Sequence, residues 1–465
     1  MFPLPSYRGK TVGILGLGPN GVAAAKALKE SGATVLGWDG QAERRLSGAV
    51  DCLAPKSWPM EHMHAVILAD GGRGGFSGEV VDRALSEKVP VLTDIDLFSQ
   101  ALNRYPKDER PKVVAVTGQV GKSVTVSIIA HILKEQGRKV SIGGQVGTPF
   151  LALPPPEKDH IYLLELPVRR LSTTHSLHAD ISVVLNISSQ PQLDSIELAL
   201  RSLMRIFKTQ GPTDTAIIGV DDVLGQKVCT LLRSRQLPVS KMGTVIPVSG
   251  EATLGHGIFA LNGIAYSGQR GKTKILGDFT RAPAFVGAHF NQDAAAAMAT
   301  CISLGVDPSM IIKSLHSYAG LTGRFECIGT SGSVIFVDDS YASTVAATQK
   351  AIAACPDVFW IGGNPQGAVN SNTERTGLAA IHGAYLLGQH EDVPHHLLKG
   401  MMVAQHLRLE DAVTAAVRDA ELLAASDPGA SPVVLFSPAI PPQRTSFRRD
   451  DFRTFVSAHI QQGVI

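Results

Sequence analysis

The run Val113-Val114-Ala115-Val116-Thr117 leads directly into Gly118-Gln119-Val120-Gly121-Lys122-Ser123. A helical pattern follows, with Val126, Ile129, Ala130 and Leu133 on one face. A β-branched strand, a glycine-rich turn and a helix form the context that a phosphate-cradling loop requires. Gly118 and Gly121 let backbone N–H groups turn towards an anion, and the helix N-terminus adds positive dipole. Lys122 is placed to reach terminal phosphates and the Ser123 hydroxyl to ligate Mg²⁺. The longer form of this loop needs glycine at position 116, which is Val116 here, so only Gly-x-x-Gly-Lys-Ser matches. An ordinary strand-to-helix turn is the competing reading.

The chain has 465 residues, enough for two to four domains that each bury a core. Hydrophobic residues at 44% and charged residues at 18% exclude a disordered chain. A net charge of +2 with no long basic run gives no reason to expect nucleic acid as a partner. Cys52, Cys229, Cys301, Cys327 and Cys355 are scattered without paired spacings, which fits a reducing compartment. The start Met1-Phe2-Pro3-Leu4-Pro5 lacks the regions of a signal peptide, and no apolar run is long enough to span a bilayer. The expectation is a cytoplasmic monomer without membrane insertion.

Upstream, Thr11-Val12-Gly13-Ile14-Leu15 reads as a buried strand, followed by Gly16-Leu17-Gly18-Pro19-Asn20-Gly21 and a helical run from Val22 to Ser31. A second strand, Thr34 to Trp38, ends in Asp39. This is a Rossmann-type βαβ unit with Gly-x-Gly-x-x-Gly and an acid at the end of the second strand. It says that a phosphate or nucleotide can lie on the first helix, without specifying which. Further strands read at 65–68 and 89–93, then at 161–166, 181–186 and 216–220, with Pro154-Pro155-Pro156 as a surface loop. Glu165 ends one of these apolar strands near Ser123 and is a candidate Mg²⁺ ligand; a solvated strand-end acid is the alternative. A third segment carries strands at 334–337, 358–361 and 433–436, again with polar residues at their ends. His390 to His396 reads as a surface loop. The predicted architecture is α/β in three domains: Rossmann-like at 1–108, a central P-loop ATPase-like parallel sheet at 109–316, and Rossmann-like at 317–465. A ligase holding a nucleotide-linked substrate in one domain and ATP in the next fits this order.

Several motifs then resemble the Mur ligase family, nearly end to end. Gly143-Gly144-Gln145-Val146-Gly147-Thr148-Pro149 is similar to its Gly-Gly-Asn-Ile-Gly-x-Pro. Leu164-Glu165-Leu166, Thr173 to Leu177 and Leu185-Asn186-Ile187-Ser188 resemble its central strands and substrate loop. Gly320-Leu321, Arg324-Phe325-Glu326, Asp339-Ser340 and Ser437-Pro438-Ala439 resemble its third domain. The resemblance implies ATP-dependent amide-bond formation in peptidoglycan precursor synthesis. D-glutamate would join UDP-N-acetylmuramoyl-L-alanine through an acyl phosphate. It implies Lys122 and Glu165 in catalysis, and Gly118, Gly121, Lys122, Ser123, Arg324 and Asp339 on ATP. Ser123 and Glu165 would hold Mg²⁺. Gly18, Asn20, Gly21, Asp39, Gln145, Gln192, Ser343, Ser437 and Phe447 would bind substrate.

The chain also departs from the family pattern. Gln119-Val120 replace Thr-Asn in the phosphate loop, and Gln192 stands at a histidine position. Leu203 stands where the family carbamylates a lysine to hold a second Mg²⁺, with Arg205 or Lys208 as replacement cations. Tyr341 and Gln366 stand at lysine positions, Gly323 at a histidine and Asp293 at an asparagine. Two functions stay open at this stage. One is a divergent ligase; the other is a nucleotide-binding paralogue, regulatory or scaffolding, that has lost the chemistry. An NAD(P)-dependent oxidoreductase rests only on Gly16 to Gly21 and does not account for the phosphate loop.

Overall fold

The computed structural model describes residues 2–45, 48, 50–69, 77–144, 147–187, 196–234, 243–282, 284–285, 290–342, 345–363, 381–388, 402–438 and 450–462. They fall into two units. One comprises Met1–Ala260, Ala265–Gly277 and Gln292–Ser314; the other comprises Leu261–Ile264, Asp278–Asn291 and Leu315–Ile465.

The first sheet is built from β1 (Thr11–Leu15), β2 (Thr34–Trp38), β3 (Asp51–Cys52), β4 (Met63–Leu68) and β5 (Val91–Thr93), in the order β3-β2-β1-β4-β5. All its pairings are parallel. The helix after β1 spans Pro19–Glu30, so it starts three residues before the expected Val22. Proline supplies the reason: its fixed φ suits the first helical turn, where its missing N–H costs nothing. Gly21 is dictated by close approach, since a Cβ there would lie 1.8 Å from the Gly16 carbonyl oxygen. The helix can therefore start directly above the strand end.

The second sheet contains β6 (Lys112–Thr117), β7 (Val140–Gly144), β8 (Ile161–Glu165), β9 (Ile181–Val184), β10 (Thr215–Gly219), β11 (Thr244–Ser249), β12 (Gly257–Leu261), β13 (Ile264–Gln269) and β14 (Lys272–Asp278). Their order is β14-β13-β12-β11-β10-β9-β6-β8-β7. From β7 through β12 the neighbours pair in parallel. β6 is flanked by β8 on one side and β9 on the other, so the order reverses there. Crevices at such reversals, outside the carboxyl ends of the strands, are where open parallel sheets bind ligands. The meander β12 to β14 was not anticipated from sequence. It turns at Asn262-Gly263 and Arg270-Gly271, all four at positive φ, between 51° and 78°. Two-residue turns of that kind match strand twist.

One core runs through the first two sheets. Phe2 packs at a tilt on Phe98 with centroids 4.8 Å apart, and Phe98 meets Tyr162 edge-on at 5.4 Å. Polar contacts reinforce this junction. Arg170 pairs with Asp94, both buried. Asp96 is fully buried and its carboxylate is saturated. Oδ2 accepts from the Thr93 N–H (2.9 Å) and hydroxyl (2.8 Å), completing a capping box on the helix Asp94–Leu102. Oδ1 accepts from the His175 and Ser176 N–H groups, both at 2.8 Å, and from the Ser176 hydroxyl at 2.9 Å.

The third sheet belongs to the other unit. It holds β15 (Glu326–Ser331), β16 (Val334–Asp338), β17 (Asp357–Gly363), β18 (Ile381–Leu387), β19 (Met402–His406) and β20 (Pro432–Phe436), ordered β15-β16-β20-β17-β18-β19. β15 and β16 are antiparallel and the other pairs parallel. The helix Leu409–Ser426 covers this sheet with Ala412, Val413, Ala416, Val417 and Ala420, all buried.

Asp96→Ala strands five donors, the Thr93 pair in buried surroundings and those of His175 and Ser176 nearer solvent; each unsatisfied buried group costs about 1–3 kcal/mol. A loss of at least about 3 kcal/mol is expected from denaturant unfolding, larger than for Asp96→Asn, which keeps an acceptor oxygen.

Candidate active site

The phosphate loop follows β6, and the helix Lys122–Glu135 leaves it. Gly118 and Gly121 take φ of 143° and 90°, conformations closed to ordinary side chains. At Gly121 there is also no room: a Cβ would lie 2.2 Å from Asp293 Oδ1. Asp293 accepts from the Thr125 hydroxyl at 3.1 Å and is buried, placing a carboxylate against the loop where the family pattern has an asparagine. Asn186, just past β9, braces the other side. Its Oδ1 accepts from the Gln119 and Val120 N–H groups, both at 2.9 Å, and its Nδ2 donates to the Val120 carbonyl at 2.9 Å. The Lys122 ammonium donates to the Gly118 and Gln119 carbonyls at 3.0 and 3.1 Å. It is thereby folded over the loop.

Glu165 ends β8, next to β6, and is buried. Its two carboxylate oxygens both stand 3.0 Å from the Ser123 hydroxyl. A buried carboxylate and a hydroxyl facing one another at the foot of a phosphate loop are hard oxygen donors of the type Mg²⁺ takes, alongside water and phosphate oxygens. The residues present fit that ion.

In the first sheet, Gly18 caps the helix that contains Asn20 and Gly21. Asp39 is buried, and its Oδ2 accepts from the Leu17 N–H at 2.7 Å, its Oδ1 from the Gln41 N–H at 2.8 Å. Burial raises its carboxyl, but those two N–H groups and Arg44 outweigh it and hold the carboxyl below the usual range. The acid thus fixes the glycine-rich loop through Leu17.

In the other unit, Asp339 and Ser437 lie at the ends of β16 and β20. The Ser437 hydroxyl donates to Asp339 Oδ2 at 2.8 Å, and the Phe325 N–H donates to Oδ1 at 3.1 Å. Thr348 Oγ1 is 2.8 Å from Ser437 Oγ, and the Trp360 indole N–H donates to the Ser437 carbonyl at 2.8 Å. Burial pushes the Asp339 carboxyl up to about 7, against the pull of Ser437, Arg324 and the Phe325 N–H. The Arg324 guanidinium lies 5.4 Å from the centre of the Tyr341 ring.

Gln145, Gln192, Ser343 and Phe447 lie outside the described residues, as do Gln366 and His390 to His396. Leu203 is fully buried in the core of the first two sheets, among apolar neighbours. Arg205 donates to the Thr174 carbonyl at 3.2 Å and faces His175 Nδ1 at 3.3 Å. His178, Asp180 and Asp214 also cluster, but Lys112 Nζ and the Val113 N–H already hold Asp180, at 2.8 and 2.9 Å. The role of Asn186 at the loop was not drawn from sequence; a polar residue directly after an apolar strand flanking the loop strand was the available signal.

The Asp339 carboxyl makes stability depend on pH. The folded state holds its proton up to about 7, whereas the unfolded chain releases it near 3.8. Its stabilising contribution is therefore complete below about 4 and lost as pH rises through about 7. Thermal melts should show wild type losing stability relative to Asp339→Asn across that window. Parallel curves for the two proteins would contradict it.

A family model for the Mur ligase middle domain matches residues 116–300. The chain is 34% identical over 451 residues to a UDP-N-acetylmuramoylalanine–D-glutamate ligase of Phenylobacterium zucineum, covering 94% of this chain and 93% of that one. It is also 34% identical over 450 residues to the ligase of the same name from Caulobacter sp. strain K31, with the same coverage. In fold it is similar to the UDP-N-acetylmuramate–alanine ligase MurC of Thermotoga maritima, with a TM-score of 0.54 at 17% identity, covering 97% of this chain and all of that one. The MurF ligase of Thermotoga maritima, solved with ADP, aligns with a TM-score of 0.51 at 18% identity over 89% of this chain and 97% of that one. With near-full-length relatives above 30% identity, the chain belongs to the Mur ligase family.

Proposed function

We propose that this chain is an ATP-dependent ligase that joins D-glutamate to UDP-N-acetylmuramoyl-L-alanine in peptidoglycan precursor synthesis. The observation that carries the reading is the buried Glu165 carboxylate facing Ser123 at the foot of the Gly118–Ser123 loop, in a chain whose near-full-length relatives bear that activity in their names.

The reaction has two transfers. A carboxylate oxygen of the substrate attacks the γ-phosphorus of ATP, the bond to the ADP oxygen breaks, and an acyl phosphate forms. The amine nitrogen of D-glutamate then attacks the acyl carbon; the tetrahedral adduct loses a proton and expels phosphate, leaving an amide. Catalysis rests on positioning and on charge neutralisation at the phosphoryl group. Lys122 and the N–H groups at the start of the helix Lys122–Glu135 bind phosphate oxygens. Mg²⁺ held by Ser123 and Glu165 supplies further neutralisation. Gly18, Asn20, Gly21 and Asp39, with Gln145 and Gln192, serve the UDP-linked substrate. Arg324 and Asp339 serve the nucleotide, and Ser343, Ser437 and Phe447 serve D-glutamate. The corresponding domains are 1–108, 109–316 and 317–465. The protein acts in the cytoplasm as a monomer; among the described residues no helix is long and apolar enough to cross a membrane.

Leu203 makes the second cation of the family pattern a specific question. A leucine in the core cannot form a carbamate, so a second Mg²⁺ would have to be held without one, with Glu165, water and phosphate oxygens as candidate donors.

Two outcomes follow. Lys122→Ala should weaken ATP binding by calorimetry about ten- to a hundred-fold, the equivalent of about 1.5–3 kcal/mol for bonds to a charged group. Unchanged affinity in a folded variant would remove the nucleotide assignment. Amide formation from UDP-N-acetylmuramoyl-L-alanine, D-glutamate and ATP should proceed at a rate indifferent to bicarbonate. A bicarbonate-dependent rate would mean that another lysine forms the carbamate. ATP binding without amide under either condition would favour the non-catalytic paralogue.

A further inference from the structure

Two departures from the family pattern, at positions 323 and 341, form one packing unit. Arg324 sits in a turn with little conformational freedom. Its neighbours Gly323 and Phe325 take φ of 67° and 51°. A bulky residue such as phenylalanine persists there only when its surroundings fix it. The Phe325 N–H donates to Asp339 Oδ1 at 3.1 Å and the Arg324 N–H to the Leu321 carbonyl at 3.0 Å. Tyr341 reaches back to the same turn, its N–H donating to the Gly323 carbonyl at 3.0 Å. Its ring lies on Gly323 so closely that a Cβ at position 323 would stand 2.6 Å from Cδ2 and 2.9 Å from Cε2, and also 2.8 Å from Ser340 Oγ. From that seat the ring faces the Arg324 guanidinium at 5.4 Å.

We propose that Tyr341 is a positioning residue that holds the Arg324 guanidinium ready for a nucleoside triphosphate, and that Gly323 is the seat that admits the ring. The proposal rests on the reading of Arg324 as a nucleotide contact. A guanidinium on a flexible stem loses rotamer freedom when it binds phosphate or base, and an aromatic face beneath it removes part of that loss beforehand. At a partly exposed ring such a contact corresponds to about two- to five-fold in affinity. A histidine at 323 would occupy the ring's place, and a lysine at 341 would repel the guanidinium. The glycine and the tyrosine therefore belong together.

The test is calorimetric titration of the full chain with ATP and MgCl₂. Tyr341→Ala and Gly323→Ala should each raise Kd about two- to five-fold. Tyr341→Phe should match wild type, because the ring face and not the hydroxyl does the holding. Arg324→Ala separates the two levels of the argument. If it leaves ATP affinity unchanged, the nucleotide reading of Arg324 fails and the proposal with it. If it weakens binding while Tyr341→Ala does not, only the positioning role is overturned. Equal loss in Tyr341→Phe and Tyr341→Ala would also overturn it. If Gly323→Ala does not fold, the alanine and phenylalanine variants at 341 decide.

Discussion

Asn186 stands where β9 ends, and its side-chain amide makes three hydrogen bonds to Gln119 and Val120. The phosphate loop takes its shape from this clasp. Two loop N–H groups are committed inward, so the groups left for an anion are those at the helix start, Gly121 to Ser123. The clasp works because β9 lies beside β6 in parallel register, with Leu185 donating to the Thr117 carbonyl at 3.0 Å. On the opposite flank β8 brings Glu165 to Ser123 by the same logic of adjacent parallel strand ends. Strand order, more than any one motif, determines which side chains can meet at the loop.

Much of the α/β alternation was legible because buried parallel strands are written as apolar, β-branched runs, as in Val113–Val116 and Val433–Phe436. The strand ends of β1, β2 and β20 fell where they were read, at Leu15, Trp38 and Phe436. The meander β12 to β14 was missed because its outer strand, Lys272–Asp278, is largely exposed and has little apolar signal. Its Asn262-Gly263 turn carried the information, since that dipeptide joins two short runs. The helix begins at Pro19 instead of Val22 because a proline, which gives no apolar periodicity, suits the first helical turn.

The site was legible unevenly for a different reason. Gly118, Gly121, Lys122 and Ser123 are local in sequence, so spacing alone suggests their chemistry. Asp39 was visible as a strand-end acid, yet its commitment to the Leu17 N–H depends on a return of the chain that spacing does not describe. Asp96 gave no motif at all, although its carboxylate joins the first sheet's last helix to the segment at His175 and Ser176. Leu203 is ordinary in sequence and becomes informative only against the family pattern. Its complete burial shows a position absorbed by the core instead of an open gap at the cleft.

The aromatic junction at the N-terminus bears on the order in which the protein acquires its structure. Phe2 is in the core, its N–H donates to the Leu151 carbonyl at 3.3 Å, and its ring partners are Phe98 and Tyr162. During synthesis the first sheet is complete once β5 and its following helix have emerged with Phe98, but the other part of the face that receives Phe2, at Leu151 and Tyr162, is still missing. At translation rates of about 5–20 residues per second that face stays uncovered for several seconds. Phe2 is therefore locked later than the sheet it precedes, held back by contacts of high sequence separation.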